Sequence, residues 1–258
     1  MQAEQHGGEA IVLIPARRAA TRLPDKPLAD ICGEPMIVHV WRRAVEAEIG
    51  PVVVATDDAA IADAVTGAGG IAELTSTAHA TGSDRIHEAL MRFDPERRFT
   101  TVVNLQGDLP TLAPDLIRAV AKVIQESDAD IATLACTITD PREIDDPNVV
   151  KCVAALGPVG SEARAHYFSR ATVPYGDGPV FHHIGIYAYR RAALERFVGL
   201  PRSPLETRES LEQLRALEDG MIIRAVHVDT VPLGVDTPRD LETARRLLAG
   251  SQSTEATS

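Results

Sequence analysis

Lysine is nearly missing from this chain: Lys26, Lys122 and Lys151 are the only three in 258 residues. The other cations are arginines, a bias that is compositional over most of the chain but makes a lysine in a conspicuous loop worth following. Positive charge as a whole is short, with 26 Lys and Arg against 37 Asp and Glu, a net charge of −11. That balance excludes a general nucleic-acid or membrane-surface binder, which needs a basic face. Cysteine is scarce as well. Cys32, Cys136 and Cys152 are odd in number and far apart, with neither CxxC nor Cys/His zinc spacing, so reduced structural thiols are expected. No apolar run approaches the roughly 20 residues of a membrane span. The polar first ten residues do not read as a signal peptide. The cytoplasm is the expected compartment, and 1–10 and 250–258 are expected to be flexible tails.

What is present reads as one large α/β domain over 11–249. Hydrophobic residues make up 45% of the chain, enough for a sizeable core. Short β-rich runs alternate with amphipathic segments. Strands are expected at 11–15, 52–56, 70–74, 101–105 and 130–136. Helices are expected at 35–48, 58–67, 84–93 and 114–127, with Pro35 in the first turn of the first, Thr56 or Asp57 capping the second, and Gly69-Gly70 ending it. Continuous apolar strands separated by helices imply a largely parallel sheet covered on both faces. After residue 140 the rhythm turns strand-rich, in NVVKCVAAL, RAHYFSRA and VFHHIGIYAYR, which predicts an antiparallel region over about 141–190. A helix at 204–218, a strand at 221–228, the segment VPLGVDT and a helix at 237–249 complete the pattern.

The first strand runs into IPARRAATRLPDKPL, which sets Arg17, Arg18, Arg22 and Lys26 among three prolines. Ligands of open α/β sheets bind at the carboxyl ends of strands, and this loop follows one. The glycine-rich phosphate loops GxGxxG and GxxxxGK[ST] are absent. Guanidinium groups bind phosphate through forked hydrogen bonds and a lysine adds a point charge, so the loop suits one anionic ligand. A solvated turn whose cations pair with surface acids is the plainer alternative.

Taken with NLQGDLP, HHIGIYAYR, SPLETRESLEQLR and GVDTPRDL, in that order, the loop resembles the cytidylyltransferases that activate 3-deoxy-D-manno-octulosonate (Kdo), over roughly residues 11–248. The related CMP-sialic acid synthetases carry a different, glycine- and lysine-containing loop here. The resemblance implies a Rossmann-like three-layer nucleotidyltransferase fold with a mostly parallel sheet and an inserted antiparallel β region. It implies CTP and Kdo as substrates, CMP-Kdo and pyrophosphate as products, Mg²⁺ as cofactor, a homodimer formed through the antiparallel region, and service to lipopolysaccharide assembly. Arg17, Arg22 and Lys26 would grip the triphosphate and offset charge on the leaving pyrophosphate. Asp108 and Asp236 would hold the metal, since Mg²⁺ takes one or two carboxylates plus phosphate oxygens and water; no histidine is nominated as a base. Ala16, Arg17 and the Thr81-Gly82-Ser83 turn would meet the nucleotide. Arg85, Gln106, His183, Tyr187, Glu212 and Gln213 would hold the sugar, with Arg85 on its carboxylate. His183 and Tyr187 stand four apart on a strand and so should share a face.

Three positions depart from the family pattern. Ala20 stands where serine is usual, Asp25 where glycine is, and Leu109 where glutamate follows the GD. Asp25 is expected to point away from the triphosphate or to pair with a neighbouring arginine. Other readings remain: a cytidylyltransferase for another acidic sugar such as 8-amino-Kdo or sialic acid, a sugar-1-phosphate nucleotidyltransferase (whose GxGTR loop is absent), or a non-catalytic nucleotide-binding homologue. The three departures favour the last; Asp108, Asp236, Arg17, Arg22 and Lys26 together oppose it.

Overall fold

A computed structural model of the chain describes residues 9–18 and 23–255. In chain order its elements are strand β1 (Glu9–Ala16), a 3₁₀ turn (Lys26–Leu28), the short hairpin strands β2 (Asp30–Ile31) and β3 (Glu34–Pro35), helix α1 (Met36–Val45), β4 (Val52–Thr56), α2 (Ala59–Gly67), β5 (Ile71–Leu74), α3 (Gly82–Phe93), β6 (Phe99–Asn104), α4 (Pro114–Glu126), β7 (Ile131–Thr137), α5 (Pro141–Ile144), β8 (Lys151–Ala154), β9 (Glu162–Ser169), β10 (Phe181–Arg190), α6 (Arg191–Gly199), α7 (Pro204–Glu209), α8 (Gln213–Glu218), β11 (Ile223–Val228) and α9 (Pro238–Glu255). Two compact units interleave along the sequence. One takes Ala10–Arg98, Asn104–Ile117 and Pro232–Ser258; the other takes Phe99–Val103 and Arg118–Val231. The stretch 141–190, expected as the antiparallel region, falls wholly in the second.

In the first unit β5, β4 and β1 lie side by side in parallel, with Val12 opposite Val52 and Val53 opposite Ile71. The central VVVAT of β4 is buried throughout, while β5 leaves Ile71 and Leu74 exposed. That difference follows from β4 having a paired strand on each side. α2 shows how local chemistry sets an element's ends. The Asp58 carboxylate accepts from the N–H groups of Ala60 and Ile61 at 2.9 and 3.2 Å. The cap is therefore Asp58, not Thr56 or Asp57, and Asp57 is left for another task. At the other end Gly69 adopts φ +89°, and the N–H of Gly70 reaches the Val65 carbonyl at 2.9 Å, closing the helix as the two glycines predict. α9 packs Leu241, Ala244 and Leu248 with Ile31, Met36 and Val235. It runs to Glu255, past the expected end at 249.

In the second unit the strand order is β6-β10-β7-β11-β9-β8. β7 and β11 are parallel; β10 with β7, β11 with β9, and β8 with both β9 and the start of β10 are antiparallel. The change of rhythm after residue 140 is thus a change of strand direction. Helix α6 had no counterpart in the sequence reading. The single helix expected at 204–218 is two, broken where Ser210 turns to φ 56°. Among the described residues no helix is long and apolar enough to cross a membrane.

Candidate active site

In the first unit, β1 ends in Pro15 and Ala16, and a cleft of about 520 Å³ opens beside them. Ala16, Arg17, Lys26, Thr81, Gly82, Arg85, Gln106, Asp108 and Asp236 line it. Nine of the expected site residues, distant in sequence, therefore meet in one place. Arg22 and Ala20 lie outside the described residues. Ser83 is buried within the first turn of α3 and does not line the cleft.

The centre of the cleft is an ion triplet. Lys26 Nζ donates to Asp108 Oδ2 at 2.7 Å and to Asp236 Oδ1 at 2.9 Å. The sequence assigned Lys26 to phosphate and the aspartates to metal; here the lysine bridges the two carboxylates. Burial works against the ammonium's charge, but Asp108 and then Asp236 outweigh it and hold the Lys26 pKa above the ordinary lysine value. The backbone around both carboxylates is tied down. The Val235 N–H donates to the Asp108 carbonyl at 3.0 Å. Asp240, two residues into α9's first turn, accepts from the N–H groups of Asp236 and Thr237 at 3.2 and 2.8 Å. Lys26 itself opens the 3₁₀ turn, whose Pro27 is buried.

Gly107 explains why a glycine precedes Asp108. A Cβ there would stand 2.9 Å from the Pro15 carbonyl oxygen. Gly82 meets the same proline from another side, with its Cβ position 3.1 Å from Pro15 Cγ. Two glycines thus bring the 104–108 segment and the start of α3 against the end of β1. The Thr81 hydroxyl and Asp84 form a capping box at that helix start, and a helix N-terminus at the cleft favours an anion.

Arg85 is buried, with 3% of its surface exposed. Its guanidinium donates to Thr75 Oγ1 and to Asp57 Oδ2, both at 2.7 Å. The Asp57 released from capping duty is what holds it. The arginine is therefore a pre-oriented charge rather than a swinging one, and part of its donor capacity serves the fold. Cleft-lining residues that sequence reasoning passed over are Pro15, Leu23, Pro27, His79, Ala80 and Gly107. Of these, Pro15 and Pro27 carried a signal as prolines of the basic loop, and Gly107 as the glycine wedged between Gln106 and Asp108.

Two departures from the family pattern find a physical account. Asp25 pairs with Arg18, whose Nε donates to Asp25 Oδ1 at 2.6 Å, so its charge is answered by a neighbouring arginine as expected. Arg18 also lies 3.6 Å from Asp58. Asp25 adopts φ 53°, which suits the glycine usual at this position and is tolerated by aspartate. Leu109 is buried and packs toward Gly234 rather than lining the cleft.

His183, Tyr187, Glu212 and Gln213 belong to the second unit. A register shift in β10 between Ile184 and Tyr187 inserts an even number of extra residues, so His183 and Tyr187 keep a common face. Their rings lie 5.5 Å apart. The Thr133 hydroxyl fills the bulge, donating toward the carbonyls of Ile184 and Ile186 and sitting 3.0 Å from His183 Nε2. Burial first, then the neighbouring His182, push the His183 pKa down to about 3, so the ring is neutral at neutral pH. Burial first, then the charges of Tyr189 and Glu212, raise the Tyr187 pKa. The break at Ser210 places Glu212 at the head of α8 and turns Gln213 inward, where its Nε2 is buried without a hydrogen-bond partner.

A strand-end cleft with a basic loop and paired carboxylates, in an α/β fold, is the equipment of a nucleotidyltransferase. The cytidylyltransferase family model matches residues 11–223. The 3-deoxy-manno-octulosonate cytidylyltransferase of Methylobacterium radiotolerans is 63% identical over 243 residues, 94% of this chain and 98% of that protein. The protein of the same description from Paramagnetospirillum magneticum is 61% identical over 238 residues, 92% and 97% respectively. A solved CMP:2-keto-3-deoxy-manno-octonic acid synthetase complexed with CTP superposes with a TM-score of 0.85 at 38% identity, covering 94% of this chain and 99% of that one. A 4-diphosphocytidyl-2C-methyl-D-erythritol synthase from Anaerococcus prevotii shares the fold, with a TM-score of 0.62 at 15% identity. The chain belongs to the cytidylyltransferase family and, within it, to the 3-deoxy-manno-octulosonate cytidylyltransferases.

Proposed function

We propose that the chain transfers CMP from CTP to Kdo: the anomeric hydroxyl of the sugar attacks the α-phosphorus and pyrophosphate leaves. The observation that carries this reading is the meeting of Lys26, Asp108 and Asp236 in the cleft at the end of β1. Its support from relatives is the near full-length identity to proteins described by that activity. Both substrates are anions and repel each other, so the cleft's cations do the first part of the work. Arg17 and Lys26 bind the triphosphate and offset charge growing on the pyrophosphate. Arg85, held in place by Asp57 and Thr75, receives the sugar carboxylate. Gln106, which both donates and accepts, orients sugar hydroxyls.

The residues fit Mg²⁺. Asp108 and Asp236 are close enough to share one cation, and two carboxylates are the protein share of a typical Mg²⁺ site. Among the described residues no cluster of three or more His, Cys, Asp or Glu offers a richer site. Bound there, Mg²⁺ would polarise the reacting phosphate and the attacking hydroxyl. In the second unit His183, Tyr187, Glu212 and Gln213 are proposed as sugar contacts, and Gln213, whose buried Nε2 lacks a hydrogen-bond partner, is the one whose own surroundings favour it. A homodimer and a cytoplasmic location complete the proposal.

The test is pyrophosphate release from CTP with Mg²⁺, with and without Kdo, and with ATP, GTP and UTP in place of CTP. Release that needs both CTP and Kdo is the expected result. Release with sialic acid or 8-amino-Kdo but not Kdo would change the substrate. Silence with every sugar despite CTP binding would make the chain a non-catalytic homologue.

A further inference from the structure

We propose that Lys26 is a resident counter-cation of the metal carboxylates, one that has to move from Asp108 and Asp236 onto an incoming triphosphate before a divalent cation can take its place. The inference rests on the CTP and Mg²⁺ reading above and adds an order of events to it.

The ammonium sits between the two carboxylates, where a cation shared by them would also sit. A single ammonium lies 2.7 Å from one carboxylate and 2.9 Å from the other. The backbone that carries each carboxylate is held, because the Asp108 carbonyl accepts from Val235 and the start of α9 is fixed by Asp240. A divalent ion approaching the pair therefore meets the lysine's charge at contact distance, and hydrogen bonds that have to be broken first. The lysine backbone is anchored in the 3₁₀ turn, whose N-cap Asp25 is held by Arg18. Its stem is a flexible four-carbon chain, so the head group can leave while the backbone stays. A triphosphate beside Arg17 offers that head group a more highly charged partner. Moving there frees two hard oxygen ligands at the moment when phosphate oxygens arrive to complete a Mg²⁺ shell. Metal and nucleotide would then bind with positive coupling, and the coupling is reciprocal. In the protein alone the same lysine keeps the carboxylate pair from repelling itself and from collecting stray divalent ions.

The experiment is Mn²⁺ binding to the full chain without nucleotide, followed by electron paramagnetic resonance of free Mn²⁺, for the wild type, Lys26→Met and Lys26→Arg. Lys26→Met keeps the stem and removes the charge. It should bind Mn²⁺ about ten-fold more tightly than wild type or better, whereas Lys26→Arg, which keeps a cation, should bind no better than wild type. Thermal unfolding guards against a folding artefact: Mn²⁺ should raise the midpoint of Lys26→Met more than that of wild type. Equal or weaker Mn²⁺ binding by a folded Lys26→Met protein overturns the proposal. Failure of the underlying metal reading looks different. It would appear as tight Mn²⁺ binding by Lys26→Met that survives an added Asp108→Asn, or as no protein-bound Mn²⁺ in the wild type even with CTP.

Discussion

In the proposed reaction Asp108 is the residue on which the chemistry leans most directly, because it touches Lys26 and stands beside the glycine that seats its strand end. Asp108→Asn removes a charge and almost no volume. Turnover should fall by at least about a hundred-fold, with the unfolding midpoint nearly unchanged; activity close to wild type would remove Asp108 from the reacting centre. His183 makes a different prediction, one about pH. Its folded pKa of about 3 lies below the unfolded value near 6.5, so the unfolded chain binds a proton that the native chain refuses. Stability from this group is complete above about pH 6.5 and is lost as pH falls toward 3, at about 1.4 kcal/mol per pH unit. Urea midpoints at pH 7 and pH 5 should therefore differ by less in His183→Gln than in wild type. At this scale the sequence was readable for charge and family pattern: Asp108, Asp236, Gln106 and Lys26 do meet in the cleft. It was blind to partner choice. Nothing in the residue order says that Lys26 bridges two carboxylates, or that Asp57 orients Arg85, because both contacts are made by folding.

Elements add constraints that single residues do not carry. The turn joining β6 to Asp108 is admitted by a missing Cβ, since one at Gly107 would stand 2.9 Å from a backbone oxygen that cannot move aside cheaply. Gly107→Ala should destabilise by about 1–3 kcal/mol and slow turnover as well, because Asp108 shifts with it. Gly82→Ala presses only on a proline ring edge and should cost less on both counts. In the second unit the α7–α8 break is braced by Glu206 and Arg215, bonded at 2.7 and 2.8 Å and 4% and 8% exposed. Glu206→Gln removes the charge that faces the buried Arg215 guanidinium. It should cost about 3–5 kcal/mol, measured as a lower urea midpoint at unchanged slope. That break was not legible. A serine at φ 56° has no reliable mark in sequence, and the leucine spacing of 205–217 continues a helical pattern straight across it. The strands fared better. β1, β4 and β7 are apolar runs because they are covered, and a run of that kind reads the same in sequence and in space. The cap of α2 was misplaced by a residue or two, since Thr56, Asp57 and Asp58 are all chemically able to serve.

For the molecule as a whole, the net charge of −11 makes the strand-end cleft an exception that matters. A cluster of cations in an acidic protein selects for one highly charged ligand in one place and gives little general affinity for polyanions. Long parallel strands and a late antiparallel region were visible from rhythm alone, but the interleaving of two compact units was not. Their segments alternate along the chain, and composition does not change at the crossings. The most direct test of the central claim is ³¹P nuclear magnetic resonance of the purified protein with CTP, Mg²⁺ and Kdo. CTP should be replaced by equal amounts of pyrophosphate and a sugar phosphodiester, and neither should form when Kdo is left out. Free CMP and pyrophosphate appearing at the same rate with or without the sugar would contradict the claim.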